Sequence, residues 1–495
     1  MDQPWIPRRT TARRVLRFLS FVLLGGLLAL AGLRWATRHA RAALAPWHTD
    51  VLATEFSADQ ASATFRLEDY LAAEDSLFSE LAQWVADDPS GAAPLSRFNP
   101  SSPTNPLNLD PNWNRTFRLR PPGAVRGGAL LLHGLSDSPY SMRALGKAMA
   151  DSGFIVVGLR LPGHGTTPAG LSHVSWEDWR AAVRIGAMSV AQETPPGAPF
   201  VMVGYSSGAA LALEYTLEAL DDPELAPPDR LVFLSPAFAV TRLAALARWQ
   251  TALGRVPGLG DLLWSEIEPE YDPYKYNSFA INAAAQIYRL TSRIEARLNE
   301  LERAGRLTEL PPALAFQSVV DATVPAIASL SRLYGRIGSA ESELVLFDVN
   351  RLAQIRMFLN PTVNEVLEVG EWSEGEGFPF RLTLVTNASD TSAELVSRDW
   401  NPDAHGWEEK PLDLAWPPSV FSLSHVALPF PPDDPIYGIG DGTPPHPFPF
   451  GALEPRGERG ILTVPVALLT RLRYNPFFDY LAARVAGFIQ EASPG

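Results

Sequence analysis

Met202-Val203-Gly204-Tyr205-Ser206-Ser207-Gly208-Ala209-Ala210-Leu211-Ala212-Leu213 changes its pattern midway. A continuous apolar run, beginning at Phe200, stops at the first glycine. An Ala/Leu-rich run that reads as helix follows the second and continues to Leu220. Strand, tight turn and helix are therefore expected across Met202 to Leu220. Between them Gly204-Tyr205-Ser206-Ser207-Gly208 matches the pattern Gly-x-Ser-x-Gly. There a serine sits on a strained turn with its hydroxyl exposed, and glycines flank it because side chains would strike the sheet and the helix. Only Ser206 holds the central position; Ser207 is its neighbour.

Working outward, short apolar runs alternate with longer helical patterns. The runs are Gly128 to Leu132, Phe154 to Leu159, Phe200 to Val203, Leu231 to Leu234, Leu314 to Val320 and Leu344 to Phe347, after a first strand near Thr116 to Arg120. Strands apolar at every position predict a mostly parallel sheet covered by helices on both faces, an α/β fold. From about 236 to 312 the pattern is mostly helical, including Val240 to Thr251 and Ala280 to Glu302, and reads as a helical cap. From about 350 to 420 turn formers surround a strand-like Phe380 to Val385, an insertion before the last helix near Phe477 to Ile489. That helix is expected at the edge of the sheet.

A serine hydroxyl needs a histidine to take its proton and a carboxylate to orient that histidine. Asp321 follows the strand Phe316-Gln317-Ser318-Val319-Val320 and emerges at its C-terminal end. Asp348, at the end of the next strand, is its substitute. Of the histidines after Asp321, His405 and His446 lie among Asp, Gly and Pro, whereas His425 lies in the short apolar segment Ser422 to Leu428. His425 is the expected base. His133-Gly134-Leu135-Ser136 follows the strand Ala129 to Leu132. The backbone N–H groups of Leu135 and Ser207 are the expected oxyanion-hole donors, and His133 itself is expected to be structural. Pro162-Gly163-His164-Gly165 is a tight turn without metal-ligand spacing; no metal and no cofactor are expected.

These residues together resemble the α/β-hydrolase superfamily, in particular its carboxylesterase and monoacylglycerol-lipase-like branch. The resemblance rests on His133 to Pro139, Arg160 to Gly165 and the Gly204 to Gly208 turn in family order, and on Asp321, His425 and the last helix. It implies an eight-stranded sheet, a helical cap over the site and hydrolysis through an acyl-enzyme. The segment between Asp321 and His425 is longer than the family's usual few tens of residues, which the insertion explains. An aromatic-rich cap (Trp249, Trp264, Tyr271, Tyr274, Tyr276, Phe279) suits a small or acyl-lipid ester, although such aromatics also serve as core. An amidase or peptidase with the same triad, and a non-catalytic envelope binding protein on this scaffold, are the alternatives.

Composition bounds the rest. The 495 residues are 46% hydrophobic with 24 Phe and 13 Trp, enough for one enlarged catalytic domain and appendages. A net charge of -14 disfavours nucleic acid as a partner. The absence of cysteine excludes disulfides and thiolate chemistry.

Phe18 to Leu33 is apolar and follows Arg8, Arg9, Arg13, Arg14 and Arg17, the latter part resembling a twin-arginine signal with Ala12 where Ser or Thr is usual. Residues 1–40 therefore read as a membrane anchor or a cleaved export signal, with Ala29-Leu30-Ala31 as a cleavage site. The heavier basic flank before the run sends the catalytic domain to the non-cytoplasmic side. Residues 41–112 are expected to hold an amphipathic helix, Arg66 to Asp87, and a Pro/Asn-rich linker, with the hydrolase domain over 113–495.

Overall fold

Apolar strands with no polar face must be covered twice, and the alternation of their side chains supplies two separate cores. The computed structural model describes residues 43–87, 92–238, 260–324, 326, 330–337, 339–356, 358–359, 377–440, 450–453 and 469–491, with Phe18, Phe21, Gly25, Gly26 and Gly32. In chain order these form α1 (Leu67–Ala86), β1 (Phe117–Leu119), β2 (Gly127–Leu132), α2 (Arg143–Asp151), β3 (Phe154–Leu159), α3 (Trp176–Glu193), β4 (Phe200–Tyr205), α4 (Ser207–Ala219) and β5 (Arg230–Leu234). A short hairpin, β6 (Trp264–Glu266) and β7 (Phe279–Ala280), precedes α5 (Ile281–Ala304). Then come β8 (Ala313–Ser318), β9 (Glu343–Phe347), β10 (Arg381–Ser389), β11 (Ser392–Asn401), β12 (Gly406–Ala415) and α6 (Phe478–Gln490).

The main sheet runs β1-β3-β2-β4-β5-β8-β9-β10-β11-β12. From β3 to β10 every neighbouring pair is parallel, while β1 and the β10-β11-β12 meander pair antiparallel. On one face Leu130, Met202, Phe233 and Ala315 pack with α3, α4 and α5. On the other, Leu131, Val203, Leu234 and Phe316 pack with α2 and α6.

Three expectations change. Among the described residues the sheet has ten strands rather than eight, because part of the 350–420 insertion continues it: β10 adds parallel to β9, and β11 and β12 fold back beside it. The outer strand β12 is mostly exposed and carries Glu408, Glu409, Lys410 and Pro411, which protect an open edge from pairing with another chain. Helix α6 lies over a face of the sheet, against α2 and β8, and not at its edge. The described cap is the β6–β7 hairpin and α5, with α5 packed on α3 and α4; Val240 to Thr251 lies outside the described residues.

The described part of residues 41–112 belongs to the same core. Phe56, Leu67 and Tyr70 join the cluster that contains Leu130 and Trp179. Helix α1 buries Leu67, Tyr70, Leu77, Leu81 and Val85 on one face. It also buries Glu74, which accepts from Thr116 N and Oγ1 and lies 3.4 Å from Arg160 Nε. Arg160, 1% exposed, donates to both oxygens of Glu55 at 2.7 and 3.1 Å. A paired, bidentate guanidinium can be buried where a lone one cannot. The segment 99–111, expected as an extended linker, is a series of turns with Ser102, Thr104 and Asn105 buried. The N-terminal run 18–33 lies almost wholly outside the described residues. Among those described, no helix is long and apolar enough to cross a membrane.

Candidate active site

Ser206 joins β4 to α4 at φ 53° and ψ -113°, a left-handed conformation costly for a residue with a Cβ. The neighbourhood over-determines it: its N–H donates to Leu234 O, and its own carbonyl accepts from Ala209 N and Ala237 N. The flanking glycines are needed for close approach. A Cβ on Gly204 would stand 2.4 Å from Ala209 N, and one on Gly208 2.2 Å from Leu132 O. Helix α4 thus sits directly on β4 and β2, with Ser206 at the junction of β4 and α4.

His425 begins a short 3-10 turn beyond β12, and Asp321 follows β8. His425 Nδ1 lies 2.8 Å from Asp321 Oδ2, and its Nε2 lies 3.0 Å from Ser206 Oγ. A carboxylate only accepts, so Nδ1 carries the proton and Nε2 is free to accept from the serine hydroxyl. The other Asp321 oxygen accepts from Thr323 N at 2.8 Å and Val324 N at 2.9 Å. Burial alone would raise this carboxyl, but the hydrogen bond and charge of His425 and the two N–H groups outweigh it and hold the pKa below the usual value. The Tyr205 hydroxyl donates to His425 O at 3.4 Å, tying the histidine loop to β4.

The rivals fall elsewhere. Asp348 is wholly buried and engaged by Arg351 Nε, Thr386 Oγ1 and Val349 N. His405 is exposed in the β11–β12 turn, and His446 lies outside the described residues. Ser207 is the first residue of α4.

Leu135 and Ser207 are both brought to the serine's end of the sheet, on the loop after β2 and the first turn of α4. Among the described residues neither N–H is taken by a backbone carbonyl. The loop turns at Ser136, φ 64°, and Asp137 N donates to Gly134 O. His133 lies beneath it, its Nε2 accepting from Leu161 N at 3.1 Å. Burial, with the nearby His164 and Arg160 charges, keeps His133 neutral well below its usual pKa. Of the cap aromatics, Trp264, Tyr274 and Tyr276 are buried as core, and Tyr274 stacks on Tyr140 at 4.0 Å; Trp249 lies outside the described residues. Among the described residues no cluster of His, Asp and Glu could hold a metal ion.

Asp137 in the Leu135 loop, Lys275 paired with it, and Arg97, bonded to the segment that carries Lys275, were not legible as site residues. Asp137 stands inside the stretch His133 to Pro139, but nothing in its spacing marks it. Lys275 and Arg97 come from segments with no motif at all.

Comparison with known proteins finds several that this chain resembles. The family described as serine aminopeptidase, S33, matches residues 123–260. A thermostable monoacylglycerol lipase of Bacillus sp. (strain H-257) is 29% identical over 219 residues, covering 44% of this chain and 79% of the lipase. Among solved structures, one from the metagenome-derived lipolytic enzymes LipS and LipT is 22% identical, covering 52% of this chain and 98% of the other at a TM-score of 0.38. A monoacylglycerol lipase of Paleococcus ferrophilus is 21% identical, covering 47% and 88% at a TM-score of 0.35. By these matches the chain is similar to α/β-hydrolases of the esterase and lipase type, monoacylglycerol lipases among them.

Proposed function

We propose that the protein hydrolyses a carboxylic ester, a small or acyl-lipid one, through an acyl-enzyme on Ser206. The observation that carries this is the hydrogen-bonded line from Asp321 through His425 to Ser206, ending on the strained turn. His425 Nε2 takes the hydroxyl proton as Oγ attacks the ester carbon, and Asp321 stabilises the imidazolium. The negative charge that appears on the carbonyl oxygen is received by the N–H groups of Leu135 and Ser207. The imidazolium then gives its proton to the leaving alcohol. Water, deprotonated by the same histidine, releases the acid and restores the serine.

The match to a serine aminopeptidase family favours one second reading, amide cleavage by the same residues. A panel of p-nitrophenyl acyl esters of graded length beside aminoacyl amides separates the two. Turnover of amides alone rejects the ester assignment. Fluorophosphonate labelling of wild type and Ser206→Ala tests catalysis itself; labelling independent of Ser206, or none, favours a non-catalytic binding role.

We also propose a membrane location for the protein. The run Phe18 to Leu33 and its arginine flank support export of the catalytic domain to the non-cytoplasmic side, with the run retained as an anchor unless it is cut. Mass spectrometry of the mature N-terminus decides between anchor and cleaved signal. Recovery of an intact N-terminus in the cytoplasmic fraction rejects both.

A further inference from the structure

Arg97 is 1% exposed, and its guanidinium donates to three backbone carbonyls: Asp272 O and Lys275 O of the β6–β7 loop at 3.3 and 3.4 Å, and Gly165 O at 3.4 Å. Its backbone N–H adds a bond to Glu270 O at 2.8 Å, and its guanidinium lies over the Tyr276 ring. A buried charge is costly unless its donors are used. Here one terminal nitrogen holds the β6–β7 loop at two carbonyls and the other ties it to Gly165, while Nε has no hydrogen-bond partner among the described residues.

That loop in turn grips the turn that carries Leu135. Tyr276 N donates to Ser136 O at 2.8 Å, and Lys275 Nζ lies 3.3 Å from Asp137 Oδ1. The Asp137 carboxylate packs on Gly134, where a Cβ would stand 2.8 Å from its Oδ2, and its N–H closes the turn onto Gly134 O. Ser136, at φ 64°, sits between these two attachments in a conformation that a serine keeps only when held. Burial pushes the Asp137 carboxyl up, and Lys275, 3.3 Å away, opposes that shift.

We propose that the β6–β7 loop is a clamp that aims the Leu135 N–H at the carbonyl oxygen of a substrate held on Ser206. Lys275 is its positioning residue, and Arg97, from the segment ahead of the family-matched stretch, is its anchor. This rests on the ester-hydrolase reading above and adds to it a dependence on residues outside the triad. A donor that is aimed before the reaction acts on charge present only in the transition state. Loosening the clamp therefore slows turnover while leaving ground-state binding alone.

The test uses full-length protein with Lys275→Met, Lys275→Arg and Arg97→Met. Four quantities are read: kcat and KM on a p-nitrophenyl ester, affinity for a trifluoromethyl ketone that forms a tetrahedral oxyanion on Ser206, and affinity for the matching non-reacting ether. Lys275→Met is expected to lower kcat and ketone affinity together by about tenfold, part of the effect of losing one oxyanion donor, with KM and ether affinity unchanged. Lys275→Arg should recover most of the loss. Arg97→Met should follow Lys275→Met; if it fails to fold, Lys275→Met decides alone, since the lysine side chain is partly exposed. A folded Lys275→Met with wild-type kcat and ketone affinity, or with ketone and ether affinity falling in step, overturns the proposal. A wild-type chain that neither labels with fluorophosphonate nor turns over fails the underlying reading instead, and does so before any variant is made.

Discussion

Replacing Asp321 by Asn keeps the shape of the side chain and removes one charge, yet the structure predicts a large loss. The Thr323 and Val324 N–H groups both point at Asp321 Oδ1, at 2.8 and 2.9 Å, and must find an acceptor. In the amide only the oxygen accepts, so it occupies the Oδ1 position and the NH2 group takes the place of Oδ2, facing His425 Nδ1. Two donors cannot share a hydrogen bond. The imidazole therefore moves its proton to Nε2, and the atom 3.0 Å from Ser206 Oγ can no longer accept the hydroxyl proton. The expected cost is about 10⁴ in kcat, or roughly 5 kcal/mol, as for a triad locked in the wrong tautomer. Ester turnover and the second-order rate of fluorophosphonate labelling should both fall by that order, while circular dichroism and thermal midpoint stay near wild type. A folded Asp321→Asn enzyme within tenfold of wild-type kcat would refute the tautomer argument.

Gly204→Ala places a methyl 2.4 Å from the Ala209 backbone nitrogen, so α4 must lift from β4. A stability loss of about 3 kcal/mol or more is expected in urea unfolding, together with loss of activity. Glu55→Gln takes from Arg160, at 1% exposure, the nearer of its two carboxylate partners; about 3 kcal/mol should be lost, and an unchanged denaturation midpoint would count against the buried pair. His48 and His164 are both held neutral by burial down to about pH 4. Unfolded histidine takes its proton near pH 6.5, so their contribution is whole above that pH and is lost as pH falls toward 4. Glu270, raised by burial from 4.5 to about 7, works in the opposite sense, costing stability as pH rises between those values. His164→Asn should flatten the acid slope of unfolding free energy against pH, and Glu270→Gln the neutral slope. If both variants parallel the wild-type curve, these burial effects are wrong.

Local order was legible because it is written in neighbouring residues. The Gly204 to Gly208 turn announces itself through the strand before it and the helix after it, and β2, β3, β5, β8 and β9 are short runs with no polar face, which only a doubly covered sheet can bury. Helices α1 and α5 carry their period openly. His425 was separable from His405 and His446 by its apolar surroundings, and Asp321 by its place at a strand end.

What the chain's pattern left open depends on partners distant in sequence. Strands β11 and β12 are rich in charge because one lies near and the other at an edge of the sheet, so hydrophobic period does not reveal that they extend it. The segment before β1 looked separate because its apolar stripe resembles that of any amphipathic helix; Glu55, Glu74 and Tyr70 meet Arg160 only in the folded chain. Arg97, Lys275 and Asp137 likewise have no local signature, since what they hold is a loop on another part of the molecule. Sequence by itself determined which backbone shapes are cheap and where the strained Gly204 to Gly208 turn stands. Tertiary structure alone decided which side chains meet, because a hydrogen bond or a buried charge depends on distance in space, and spacing along the chain does not set it.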